Sequence, residues 1–142
     1  MKIKVVEHFS ISNWEAVKLR QKLLRTPLGL EFSIQELQQE RNDIHLGIFS
    51  EDVLLGCAVL SPISSQKARL RQLAVLPLFQ KQGLGEKMVQ WAEEIARENG
   101  YQEIMLHSRQ NVNKFYEKLG YQKQGNPFKE ITLQHQKMIK KL

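Results

Sequence analysis

The stretch Leu73-Ala74-Val75-Leu76-Pro77-Leu78-Phe79-Gln80-Lys81-Gln82-Gly83-Leu84-Gly85 constrains this chain more than any other. Its first residues are apolar β-formers ended by Pro77. From Leu84 onward, Leu84, Met88, Trp91, Ala92 and Ile95 recur at helical spacing until Asn99-Gly100 stops them. A strand therefore runs through a glycine-bearing turn straight into a long helix. Helix N-termini carry unpaired N–H groups and partial positive charge, which suits an anion when backbone can approach it. Gly83 and Gly85 permit that approach, no Ser, Thr, Asp or Asn opens the helix to occupy its donors, and Lys81 and Lys87 add charge. A phosphate group is the expected occupant. Gly-x-Gly alone is weak evidence, and the competing reading is a turn whose glycines only relieve crowding.

Around this stretch the chain alternates short strands and amphipathic helices. A first strand is expected around Ile3 and Val5, then a helix capped by Ser12 or Asn13 that carries Trp14, Val17, Leu19, Leu23 and Leu24 and stops at Pro27 and Gly29. Ser33 and Glu36 have capping-box spacing, predicting a second short helix to about Arg41. Ile44 to Phe49 and Val53 to Leu60, separated by Ser50-Glu51-Asp52, read as a hairpin. Between Lys67 and Leu76 the apolar phase slips from Ala68 and Leu70 to Leu73 and Val75, as a β-bulge would require or as burial of both faces would allow. A short strand at Ile104 to Leu106 follows. Val112, Phe115, Tyr116 and Leu119 then make a helical stripe ended by Gly120, and Tyr121 to Gln124 and Leu133 to Ile139 supply two last strands.

With no linker or repeat, residues 1–142 are expected to form a single α/β domain. The hydrophobic fraction of 42% is enough for one core without disulfides. A lone Cys57 and a first stretch, MKIKVVEHFS, unlike a signal peptide point to a reducing cytoplasm, and no apolar run approaches the roughly twenty residues of a membrane span. The net charge of +6 suits an anionic partner. Basic residues are spread along the chain without interleaved aromatics, so nucleic acid is not expected as that partner. No Cys/His cluster has metal-ligand spacing, so no metal is expected.

Gln80-Lys81-Gln82-Gly83-Leu84-Gly85 meets the cofactor signature Gln/Arg-x-x-Gly-x-Gly/Ala of the GCN5-related N-acetyltransferases, after a strand, Leu73 to Pro77, of the family's apolar-x-Val-x-Pro pattern. Asn111 to Tyr121, ending Phe-Tyr-Glu-Lys-Leu-Gly-Tyr, matches the family's late helix and the strand after it. The chain thus resembles a small bacterial-type member over almost its whole length. The resemblance implies a mixed, mostly antiparallel twisted sheet of about six to seven strands flanked by about four helices. It also implies acetyl-CoA as acyl donor, its pyrophosphate on the Gln80–Gly85 amides and its pantetheine arm along Leu73, Ala74 and Val75 like an added strand. Asn111, Phe115 and Lys118 are then expected near the cofactor.

Acetyl transfer to an amine needs a base, an oxyanion donor and a proton for the thiolate. The resemblance assigns the backbone N–H of Leu73 to the oxyanion and Tyr116 to the thiolate; a core aromatic is the alternative for Tyr116. Where many relatives have a glutamate on the strand before the loop, this chain has Arg69, Arg71 and Gln72. Glu130 and His135 are the base candidates retained, with His107 and Arg109 also noted. The tail around them resembles a subgroup of small bacterial members, but Thr132 and Gln134 stand where glycine and proline are expected. Cys57 is read as a buried structural thiol. The missing strand acid leaves open a non-catalytic acyl-CoA-binding or regulatory domain. The acceptor is an unidentified amine, and a homodimer is a possible assembly.

Overall fold

The computed structural model describes residues 1–142. Eight strands form one sheet: β1 (Lys2–Val6), β2 (Ile44–Ser50), β3 (Val53–Pro62), β4 (Lys67–Val75), β5 (Glu103–Arg109), β6 (Gln122–Lys123), β7 (Phe128–Glu130) and β8 (Leu133–Lys141). The order is β1-β2-β3-β4-β5-β8-β6, with β7 also pairing β8. All pairings are antiparallel except β4 with β5. Four α-helices flank it: α1 (Ile11–Arg20), α2 (Ile34–Gln39), α3 (Leu84–Glu98) and α4 (Asn113–Lys118). The mixed, mostly antiparallel architecture matches expectation; the strand beyond the expected six to seven is β7.

The sheet separates two apolar clusters. Leu46, Ile48, Leu60 and Leu70 meet Met88, Val89 and Ala92 of α3 on one face; Val6, Phe49, Leu54 and Ala74 meet Ala16 and Leu19 of α1 on the other. Cys57 lies in that second cluster, and burial pushes its thiol up to about 12, so it is a structural thiol as expected. No helix is long and apolar enough to cross a membrane.

The cap of α1 differs from expectation. Ser10, not Ser12 or Asn13, is the N-cap; its Oγ accepts the Asn13 N–H at 3.1 Å, while Asn13 Oδ1 accepts the Phe9 N–H at 2.9 Å. The expected cap residue thus sits inside the first turn and ties down the residue before the cap. After Arg20 the chain loosens into a π turn (Gln21–Arg25) and a 3₁₀ turn (Thr26–Leu28), ended by Gly29 at φ +71°. The Ser33–Glu36 capping box forms as expected.

Arg20 is 1% exposed and grips Glu40 through both carboxylate oxygens, at 3.0 and 2.7 Å. Arg71 of β4 joins at 2.8 Å from Glu40 and 3.4 Å from Asp43. Burial works to raise the pKa of Glu40, but Arg20 and Arg71 outweigh it and hold the carboxyl below 4.5. This ion network fastens α1 and the turn after α2 to β4.

Candidate active site

β4 and β5 run together only from Lys67–Glu103 to Arg69–Met105, and beyond Arg69 β5 offers β4 no partner. The divergence begins at a bulge. Val59 faces Arg71 and Cys57 faces Ala74, so Gln72 and Leu73 together oppose Ala58, with Gln72 at φ +57°. The extra residue exchanges faces: Leu70 belongs to the α3-side cluster and Leu73 and Val75 pack against it, whereas Ala74 turns to the α1 side. The phase slip in the sequence is therefore this bulge. Between the splayed strands opens a cleft of ≈ 820 Å³.

One end of the cleft is the turn into α3. A 3₁₀ turn (Pro77–Phe79) leads to Lys81 at φ +61° and Gly83 at φ +83°, the N-cap of α3, which has no side-chain cap. Gln80 and Gln82 fold back instead, their Nε2 groups donating to the carbonyls of Val75 at 2.9 Å and Leu78 at 3.2 Å. The first-turn amides of α3 are left to solvent or an anion. Gly85 does a second job: a Cβ there would lie 3.3 Å from the Phe115 ring, so glycine lets α4 close on α3. The crowding-relief reading thus holds for Gly85, while at Gly83, where a Cβ would meet nothing, the backbone conformation is what requires glycine.

The other end is polar. His107 Nδ1 lies 2.9 Å from both Arg69 Nη2 and Glu130 Oε2. The guanidinium can only donate and the carboxylate only accept, so one ring nitrogen serves one of them at a time. Burial, reinforced by the charge of Arg69 and opposed by Glu130, holds the His107 pKa below 6.5. His135, buried on β8, lies 3.0 Å through Nδ1 from the Leu133 carbonyl. A carbonyl only accepts, so Nδ1 carries a proton, and the tautomer this selects has its lone pair on Nε2. The Tyr116 ring stacks edge-on between Phe115 and Tyr121, and burial alone pushes its phenol up to about 12.

Tyr116, Glu130 and His135 line this one cleft with Leu73, Val75, Gln80, Lys81, Gly83, Gly85, Asn111 and Phe115. Ala74 and Leu84 bury their side chains in the core, and Gln82 and Lys118 are exposed outside it. Sequence reasoning missed Leu24, Arg25 and Leu28, which reach the cleft from the segment after α1. Their only signal was the helix stop at Pro27 and Gly29, which says that the chain turns but not where it goes.

A splayed pair of parallel strands leading to an uncapped, glycine-led helix suits an extended, phosphate-bearing ligand. The chain belongs to the acetyltransferase (GNAT) family, whose model matches residues 10–121. The uncharacterised N-acetyltransferase YitI of Bacillus subtilis is 28% identical over 130 residues, 87% of this chain and 87% of the relative. A crystal structure of a putative N-acetyltransferase from Lactobacillus plantarum superposes with a TM-score of 0.85 at 21% identity, covering 100% of this chain and 99% of that one. A GNAT family acetyltransferase from Elizabethkingia anophelis, solved with acetyl-CoA bound, gives 0.76 at 16% identity, covering 99% and 97%. At these identities the two structures establish the fold.

Proposed function

We propose that this chain transfers an acetyl group from acetyl-CoA to an amine by direct attack within a ternary complex. The observation that carries this reading is the continuity of the cleft, from the uncapped start of α3 through the β4–β5 gap to the His107, Glu130 and His135 wall. Pyrophosphate suits the first end and an extended pantetheine arm suits a strand edge without a partner. The fold shared with a protein solved with acetyl-CoA supports the donor.

In this reading His135 Nε2 takes a proton from the acceptor ammonium. Glu130 is less suited, since its carboxylate already faces His107 and Arg69. The amine nitrogen attacks the thioester carbon, the Leu73 N–H receives the oxyanion, and the C–S bond breaks as Tyr116 donates its proton to the departing sulfur, the second proton lost by the nitrogen restoring the phenol. The test is thiol release from acetyl-CoA against a broad amine panel. Gly83→Glu puts bulk and negative charge where phosphate is expected and should abolish release and CoA binding together. Folded Gly83→Glu protein with unchanged CoA affinity would reduce the loop to a turn, and CoA binding without release for any amine would leave a binding domain.

A further inference from the structure

Four guanidinium groups, from Arg25, Arg69, Arg71 and Arg109, line the cleft away from the α3 turn, and Glu130 is the carboxylate that lines it beside them. Three already face acids. Arg25 meets Glu36 at 3.0 Å, Arg71 meets Glu40 and Asp43, and Arg69 meets Glu130 at 3.6 Å, beyond hydrogen-bond reach. Arg69 is further under-satisfied, since its buried Nε has no partner. Arg109 has no acidic partner; its one hydrogen bond is from Nη2 to the Leu24 carbonyl at 3.2 Å. A guanidinium offers five N–H donors, so most of those on Arg109 are uncommitted.

The position of Arg109 matters as much as its charge. It lies two residues after His107 on β5, hence on the same face of the sheet, and directly opposite His135 on β8. The bond to Leu24 leads its head toward the segment after α1, which closes that side of the cleft. An uncompensated cation is therefore held beside the groups proposed to receive the amine. A partly desolvated guanidinium is stabilised by an anion that forks onto it, and it repels a second cation.

We propose that the acceptor amine carries an anionic group, a carboxylate or a phosphate, that binds Arg109 with help from the charge of Arg69. This names the acceptor's chemistry and rests on the acetyl-transfer reading above. Polycationic acceptors would meet the wrong sign of charge at this end.

Matched pairs of amines test it: amino acids against their amides, and aminoalkyl phosphates against the parent amino alcohols, with polyamines as cationic controls. For one arm or the other, kcat/KM should favour the anionic member by ~10- to 100-fold, as expected for a charge-assisted hydrogen bond. The arm that shows this identifies carboxylate or phosphate. Arg109→Gln should bring the ratio within that pair toward one, through KM, and Arg109→Lys should restore part of it. A second readout does not need turnover: in the presence of CoA, the anionic members should raise Tm for the wild type and not for Arg109→Gln. Preference for neutral or cationic amines, or equal losses on both members of a pair in Arg109→Gln, would overturn the proposal while leaving acetyl transfer standing. Arg109-dependent stabilisation by the anionic amines with no thiol release from any amine would do the reverse.

Discussion

His135 and Tyr116 are both buried and both line the cleft, yet their surroundings differ in kind. A carbonyl fixes the tautomer of His135, whereas nothing but packing acts on the Tyr116 phenol, whose upward shift has burial as its one cause. A phenol kept protonated is suited to donating, and Tyr116→Phe separates that role from packing because it keeps the ring and removes the hydroxyl. Turnover should fall by ~100- to 10,000-fold with CoA affinity and Tm nearly unchanged. Were Tyr116 only a core residue, Phe would be silent and Ala would lower stability by ~3–5 kcal/mol, so kinetics and melting curves on both variants decide the question. At Arg20 the argument concerns stability. Arg20→Met leaves the Glu40 carboxylate buried with Arg71 as its remaining close cation, and truncating one member of a buried pair costs ~3–5 kcal/mol. Denaturant unfolding should show a loss of that size. A loss near zero would mean that Glu40 takes up a proton or reaches water once Arg20 is gone.

The β7–β8 hairpin is the element with the least comfortable backbone. Glu130 faces Leu133, so Ile131 and Thr132 form a two-residue loop, with φ of +49° and +66°. Such a loop favours Asn-Gly, and β-branched residues at positive φ are strained. Thr132→Gly with Ile131→Asn should stabilise the chain by ~1–3 kcal/mol, read as a rise in Tm. No gain would show that the contacts of Ile131 on the cleft wall compensate its backbone. The sequence carries a trace of this strain, since Thr132 stands where the resembled subgroup has glycine. Strand β7 itself is not legible there. Phe128, Lys129 and Glu130 follow Gly125-Asn126-Pro127 and are too few to show alternation, and their strand character comes from pairing with β8. The β4 bulge is legible because a phase slip is written locally, in Ala68 and Leu70 against Leu73 and Val75. The loop into α3 is legible for the same reason. Arg25 and Leu24 are not, because the path of the chain after Arg20, rather than any local pattern, brings their segment over the cleft.

Across the whole molecule the buried titratable groups tie stability to pH with a definite sign. His45 lies in the sheet with Nε2 donating to the Glu40 carbonyl at 2.9 Å, and burial lowers its pKa below 6.5. His107 is lowered as well, by burial and by Arg69. For both, the unfolded chain takes up protons at a higher pH than the folded one, so their contribution is complete above about 6.5 and is lost as pH falls through the folded pKa values. Glu40, held below 4.5, adds a second loss at lower pH. Asp43 works against it: burial raises its pKa above 3.8, so its protonation favours the folded chain in the acid range. Thermal melts should therefore give a flat Tm just above neutrality and a decline that begins below about pH 6.5 and steepens once Glu40 titrates. A separate decline is expected on the alkaline side, where the unfolded chain ionises the thiol and phenols that burial keeps protonated in the folded one. A chain of net charge +6 also repels itself more as its carboxylates are neutralised, which steepens the acid limb without involving any histidine. His45→Gln separates the two causes, since it removes a titrating group and keeps a donor for the Glu40 carbonyl. The variant should start from a somewhat lower Tm and lose less of it between about pH 7 and about pH 5 than the wild type does. Parallel curves for the two proteins over that interval would assign the whole decline to His107 and to net charge, and would remove His45 from the account.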